Sequence, residues 1–283
     1  MSGGPRKRLG RFGAWRRSPD LTARFAVELE GLGYRTLWVG GSPPGDLRLV
    51  EELLDATSSL TLATGIVNMW NSDAHDVASS FARLEARHGG RFLLGIGAGH
   101  REVTAQYASP YETMEAYVQT LLDDGVPAGS LVLAALGPKM LRLAADRTAG
   151  AHPYLVTPEH TRRAREIIGP DALLAPEHKV VLEADPGRAR ALARPPIANP
   201  YLGMTNYRNS LRRLGWTDDD IDGGGSDALI DALAAHGTPE QVAGRLTEHL
   251  DAGADHVAMH VIGAGEDAVL DTFRRLAPAL GIG

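Results

Sequence analysis

Ten residues, Arg91 to His100, carry the densest chemical signal in the chain: RFLLGIGAGH. Phe92, Leu93, Leu94 and Ile96 suit a short strand buried on both faces. The run gives way to Gly95, Gly97, Ala98 and Gly99, which have almost no side-chain bulk. A strand ending in small residues lets a ligand approach its backbone N–H groups closely. His100 follows at once, and an imidazole titrates near neutral pH, so it is the first candidate for proton transfer. A plain glycine-rich turn would read the same way. What favours a ligand is recurrence at other strand ends.

Those ends are Trp15, Gly40-Gly41-Ser42, Gly65-Ile66-Val67-Asn68, Gly137-Pro138-Lys139, His152-Pro153-Tyr154, Glu183 and His260. The set is rich in glycine and poor in carboxylates. A hard metal ion would want several acidic ligands, and glycoside hydrolysis would want a carboxylate pair. Neither arrangement is present, so no metal is expected. A flat, phosphate-bearing cofactor lying on small residues fits better. Gly137-Pro138-Lys139 at a helix start would offer such a phosphate free N–H groups, a positive dipole end and a cation; a proline-started helix with an exposed lysine is the plainer reading. His260, His152 and His75 join His100 as possible acids, with His260 second in order.

The elements that must position these residues alternate strand and helix at roughly 30 residues per unit. Strands are expected at Leu9–Trp15, Tyr34–Val39, Leu60–Met69, Phe92–Ile96, Leu131–Leu136, Gly150–Val156, Lys179–Glu183 and His256–Ile262. Ser18, Asp73 and Thr157 are placed as helix caps. Eight such units close best as a (β/α)8 barrel, an α/β fold whose active sites lie at the C-terminal ends of the strands. The irregular stretch is Arg194 to His236, between strands seven and eight, with Pro195-Pro196, Tyr201, Tyr207, Trp216 and Gly223-Gly224-Gly225. It reads as a helical insertion over the barrel mouth, so residues 1–283 make one domain.

A chain of 283 residues that is 43% hydrophobic and 23% charged suits one barrel with a substantial core. The net charge of −6 argues against a nucleic-acid surface. There is no cysteine, which fits a reducing cytoplasm, and no apolar run of about 18 residues that would span a membrane. The basic start, Arg6-Lys7-Arg8, lacks the apolar stretch of a signal peptide. A soluble cytoplasmic protein acting on a small molecule is expected.

Taken together, WVGGSPPGDL at 38–47, LATGIVNMW at 62–70, RFLLGIGAGH at 91–100, LAALGPKMLRLAADRTAGAHPYLVTPEH at 133–160 and DAGADHVAMHVI at 251–262 resemble the luciferase-like flavin and deazaflavin oxidoreductases. The resemblance covers nearly the whole chain in the same order and is strongest to the actinobacterial subgroup that uses coenzyme F420. It implies a bulge in the third strand with a cis bond at Gly65–Ile66, backing the deazaflavin ring. Gly97, Ala98 and Gly99 would line the ring edge and ribityl chain, and Leu136, Gly137 and Lys139 would hold the phosphate. Ser42 and Asn68 would hydrogen-bond the ring or a substrate, or else cap their loops. Related sugar-phosphate dehydrogenases carry a histidine and a tryptophan after the second strand; Gly40-Gly41-Ser42-Pro43-Pro44 has neither, which counts against that substrate class. The reaction implied is hydride transfer between reduced F420 and a carbonyl or activated alkene. An FMN monooxygenase and a non-catalytic flavin-binding barrel are the alternatives. Relatives commonly form dimers, and the helix at Asp73–Arg87 could serve such a homodimer or pack on its own barrel.

Overall fold

The computed structural model describes residues 8–99 and 109–283. Strands β1 (Phe12–Arg17), β2 (Thr36–Gly40), β3 (Thr61–Gly65), β4 (Val67–Asn68), β5 (Phe92–Gly97), β6 (Leu131–Leu133), β7 (Gly150–Ala151), β8 (Leu173–Leu174), β9 (Glu177–Val181), β10 (Ala234–His236) and β11 (Val257–Val261) form one parallel sheet. Its order is β10-β9-β11-β1-β2-β3-β5-β6-β7-β8, with β4 on β5. β8 and β9 are halves of a single run through Ala175-Pro176. Ala175 and Glu177 donate back to Ala151 and Pro153, while Asp255 and Ala258 donate to Leu174 and Pro176. This run therefore holds both its neighbours and closes the (β/α)8 barrel.

Around the sheet lie α1 (Ala23–Gly31), α2 (Arg48–Ala56), α3 (Ala74–His88), α4 (Pro110–Asp123), α5 (Pro138–Arg147), α6 (Pro158–Ile168), α11 (Pro239–Asp251) and α12 (Glu266–Leu276). Asp73 and Thr157 cap α3 and α6 as their side chains dictate. Ser18 does not cap α1. Ser18–Asp20 makes a short 3-10 turn, and Thr22 accepts from Phe25 N instead. The stretch between β9 and β11 holds α7 (Pro186–Ala198), α8 (Thr205–Arg213), α9 (Asp218–Ile221) and α10 (Asp227–Leu233). Pro195 and Pro196 sit inside α7, which begins before the expected insertion, and the last three residues of that insertion form β10.

Alternation along each strand sends one set of side chains to the helices and the other into the barrel. Leu37 and Val39 of β2 pack outward, as do Leu94 and Ile96 of β5 and Met259 of β11. Inward lies a second, smaller core of Leu9, Trp15, Trp38, Ala63, Leu93, Val132, Leu173, Ala175 and Ala258. Trp38 donates from Nε1 to His256 Nε2 (3.0 Å) and stacks on His152, ring centroids 3.9 Å apart. This fills the lower barrel and leaves its upper end to the site. Several strands differ in extent from the expected ones; the third is split at Ile66 and the sixth stops at Ala151. The first runs on to Arg17, the fifth stops at Leu133, and the seventh begins well before Lys179. That last difference decides which charged side chains face inward.

Candidate active site

The third strand is broken by one extra residue. Ala63 pairs with Leu93, but Val67 pairs with Ile96, and the Gly65–Ile66 peptide between them is cis. Thr64 repairs the ladder: its Oγ1 accepts from Gly95 N (2.8 Å) and donates to Gly95 O (2.9 Å). A side chain at Gly95 would start 1.9 Å from Thr64 O, and one at Gly97 would start 2.6 Å from Ile66 Cδ1. A Cβ on Gly40 would meet the Trp15 ring at 2.0 Å, and one on Gly65 would meet Trp15 Nε1 at 2.6 Å and His152 Nε2 at 3.1 Å. The glycines at these strand ends thus have an internal reason: they admit Ile66, Thr64 and Trp15. Trp15 Nε1 and His152 Nε2 are buried without a hydrogen-bond partner among the described residues, both beside Gly65.

The structure brings Gly65, Ile66, Asn68, Gly97 and Gly99 together. Asn68 sits opposite Gly97, and its Nδ2 lies 2.6 Å from where a Cβ on Gly99 would be. Asn68 Oδ1 accepts from Trp70 N (3.0 Å), so half of this side chain serves its own loop. Ala98 is half-buried against the outer core. Ser42 lies apart, exposed, at φ 55°. Gly137 caps α5, with Pro138 in the first turn and Lys139 exposed after it. The space above Gly137 is open except for Arg213 Nη2 at 3.9 Å, which brings a second cation to that helix start. Leu136 O accepts from His160 Nε2 (3.0 Å), and the Leu136 side chain packs on the insertion. His100 lies outside the described residues.

On the other side of Trp15 stands His260, ring centroids 4.3 Å apart. It belongs to a buried polar group that sequence reasoning did not assemble. Glu177 and Lys179, two apart on β9, both point inward with no exposed surface and pair at 3.0 Å. Lys179 Nζ also donates to Tyr154 OH (2.9 Å) and approaches His260 Nδ1 at 3.3 Å. His260 Nδ1 lies 3.1 Å from Glu177 Oε1 and 3.3 Å from Tyr154 OH. Glu177 Oε2 accepts from Leu155 N (2.9 Å), and Tyr201 OH, from the insertion, donates to Tyr154 OH (3.3 Å).

Burial dominates the charges here. It pushes His260 down to about 4, helped by the Lys179 charge and opposed by Glu177. Burial raises Glu177, but Lys179, His260 and Leu155 N outweigh it and hold the carboxyl at about 2. Burial lowers the Lys179 ammonium, opposed by Glu177, and raises the Tyr154 phenol well above its usual range. At neutral pH His260 is therefore a neutral imidazole beside the ionised Glu177 carboxylate. The remaining histidine candidates have structural occupations. His152 bonds Ala175 O through Nδ1 (2.6 Å), and His75 pairs with Asp124 on the surface of α3. Glu183, one of the expected strand ends, bonds Arg188 at the start of α7.

The signal that would have found the pair lies in Glu177-His178-Lys179. Opposite charges two apart on a strand share a face, and with Val180-Val181 following, that face is inside the barrel.

A family model described as luciferase-like monooxygenase matches residues 7–123 and 124–256. The chain is 25% identical over 258 residues to the 5,10-methylenetetrahydromethanopterin reductase of Archaeoglobus fulgidus, covering 71% of this chain and 76% of that protein. Among solved structures it is similar to an F420-dependent secondary alcohol dehydrogenase in complex with an F420–acetone adduct (TM-score 0.75, 16% identity, 95% of this chain and 98% of that one). It is also similar to the EDTA monooxygenase of Chelativorans sp. BNC1 (TM-score 0.70, 14% identity, 96% and 93%). At these identities the two structures speak for the fold.

Proposed function

The chain belongs to the luciferase-like monooxygenase family, and from that premise we propose that it catalyses hydride transfer between reduced coenzyme F420 and a small organic carbonyl or activated alkene. The observation that carries this reading is that the cis-peptide break at Gly65–Ile66 and the buried polar group at His260 meet at Trp15. The likeness to the F420-dependent secondary alcohol dehydrogenase supports the deazaflavin.

The residues present fit such a group at the point where fit is testable. An anion is favoured at Gly137, where the open first turn of α5, Lys139 and Arg213 combine N–H donors, dipole and two cations. Leu136, Gly137 and Lys139 would hold the phosphate, and Gly65, Ile66, Asn68, Gly97, Ala98 and Gly99 would face the ring and its side chain. Ser42, exposed past β2, would meet a substrate or ring edge. The bound cofactor supplies the hydride; the protein holds the acceptor, excludes water beneath the insertion and delivers a proton from His260. His100 remains a second candidate donor in this reading.

The likeness to a monooxygenase favours FMN as the second reading. Titrating the purified protein with F420 and with FMN, followed by fluorescence, separates them. Tighter binding of F420 is expected. Preference for FMN, with oxygen consumed when reduced flavin is supplied, would replace the proposal, and binding without turnover of any substrate would leave a flavin-binding barrel.

A further inference from the structure

We propose that Arg17 selects the substrate: it receives a carboxylate carried by the hydride acceptor, so that the acceptor is an oxo acid and not a neutral ketone. This rests on the reading of the barrel mouth beside His260 as the place of hydride transfer.

Strand register puts Arg17 where it can do this. Side chains alternate along β1, so Trp15 in the inner core and Arg17 two residues on share the inward side. Arg16, between them, turns outward: its guanidinium lies over the Phe25 ring, 5.0 Å from the centroid, and its Nε donates to Asp20 O (2.7 Å). Arg17 pairs with Gly40, and Gly40 with Gly65, so one row crosses the mouth as arginine, glycine, glycine and ends at the cis peptide. On the other side of β1, Val181 ends β9 and Ile262 follows β11, and both pack on the insertion. Arg17 therefore stands where the insertion stops and the glycines begin. Of these five residues it alone is charged.

The fold itself makes no use of this side chain. Arg17 is exposed, and among the described residues it has no hydrogen bond or ion pair. Its charge still reaches the site. Burial raises the Tyr201 phenol, and the Tyr154 hydroxyl and Arg17 oppose that rise. Tyr201 OH in turn meets Tyr154 OH, which borders His260. Ala14 pairs with Met259, so Trp15 and His260 stand at one level, in ring contact. Arg17 is the next inward position above them, about 6–7 Å along the strand. A carbonyl oxygen at His260 and a carboxylate at Arg17 can thus belong to one small molecule. A guanidinium offers two parallel N–H donors to the two oxygens of a carboxylate, a match that a methyl or hydrogen in its place cannot make. The cofactor phosphate has a different partner: α5 starts after β6, four strands along the sheet from β1, and has Lys139 and Arg213.

The test is 1H–15N NMR of the tryptophan indoles in the full chain, titrated with 2-oxobutanoate and with butanone, which has a methyl group where the acid has its carboxylate. The Trp15 signal is assigned by its loss in Trp15→Phe. It should shift saturably with 2-oxobutanoate at about tenfold lower concentration than with butanone, as a charge-assisted contact provides. Arg17→Gln should remove that advantage with Tm unchanged, since the side chain supports nothing in the fold, and Arg17→Lys should keep part of it. In turnover with reduced F420, Arg17→Gln should raise the KM for the acid about tenfold and leave kcat nearly unaltered. No shift with either probe, equal affinity for the two, or an acid preference that survives in Arg17→Gln overturns the proposal. So does a loss of F420 affinity in Arg17→Gln with the acid preference kept, which would give Arg17 to the cofactor. Should the acid bind through Arg17 and no carbonyl be reduced, the hydride reading fails and the carboxylate site stands.

Discussion

At the residue scale the site depends on which side chains share the inside of one strand. Glu177 and Lys179 pair within the barrel, and His260 meets them from β11. A general acid held in hydrogen-bond reach contributes typically about 10²–10⁴-fold to a rate. His260→Asn should therefore lower kcat by about two orders of magnitude while F420 affinity, read by fluorescence titration, changes little; an unaltered kcat would remove His260 from the mechanism. A second prediction belongs to the helix start of α5. Replacing Lys139 and Arg213 together by alanine should weaken cofactor binding about tenfold or more and reduce its dependence on salt, because two charge-assisted contacts to an anion are lost. Unchanged affinity would move the phosphate elsewhere. The histidine at position 260 was legible because it ends a strand. Its partners were not, because a strand read as Lys179–Glu183 hides Glu177 and leaves Lys179 as a boundary residue, and the contact with Tyr201 spans an insertion.

At the scale of elements, the break in the third strand organises the neighbouring wall. Thr64 bridges the gap to Gly95 by two hydrogen bonds, and both groups are buried. Thr64→Val leaves the Gly95 N–H and C=O without those partners and should cost about 2 kcal/mol in urea unfolding. A change under half that would mean the ladder repairs itself. Gly95→Ala, whose Cβ would lie 1.9 Å from the Thr64 carbonyl, should cost more than is usual for overpacking, which runs at about 1–3 kcal/mol, since backbone must move. The periodicity located these elements well where caps and apolar faces agree. Asp73 and Thr157 cap the helices they precede. The cis bond at Gly65–Ile66 followed from family resemblance and not from composition. The glycines were legible as small but not for their reason. Reading them as bare backbone for a ligand missed Ile66 and Trp15, which come from other strands and fill the space a side chain would need. Short strands misled in the opposite direction: β7 stops at Ala151, and Leu155 turns at φ 54°, so the expected strand to Val156 does not form.

At the scale of the molecule, the barrel buries histidines that must stay neutral. His152, His178, His256 and His260 are each pushed down to about 4, in every case chiefly by burial. In the unfolded chain they titrate near 6.5. Below that value the unfolded state binds protons that the folded state does not, so folding stability falls as pH drops from about 6.5 towards 4. Each such histidine costs on the order of 1 kcal/mol per pH unit in that window. Glu177, held at about 2, adds a further loss only below its unfolded range near 4.5. Thermal unfolding should show a Tm nearly constant above pH 7 and falling steeply between pH 6.5 and 4; a flat profile would contradict the buried neutral state. The alternation of strand and helix made the barrel legible. Its closure depends on the run from Leu173 to Val181 being one strand, and the proline in its middle concealed that.

The central claim is that the wall at Gly65 and Gly97 and the acid at His260 serve one hydride transfer. Anaerobic stopped-flow mixing of the protein and reduced F420 with a panel of small ketones and enones tests it most directly. The account predicts a first-order rise of oxidised F420 absorbance with at least one acceptor, slowed about a hundredfold in His260→Asn. No oxidation beyond the protein-free rate with any acceptor, by a protein shown to bind the cofactor, would contradict it.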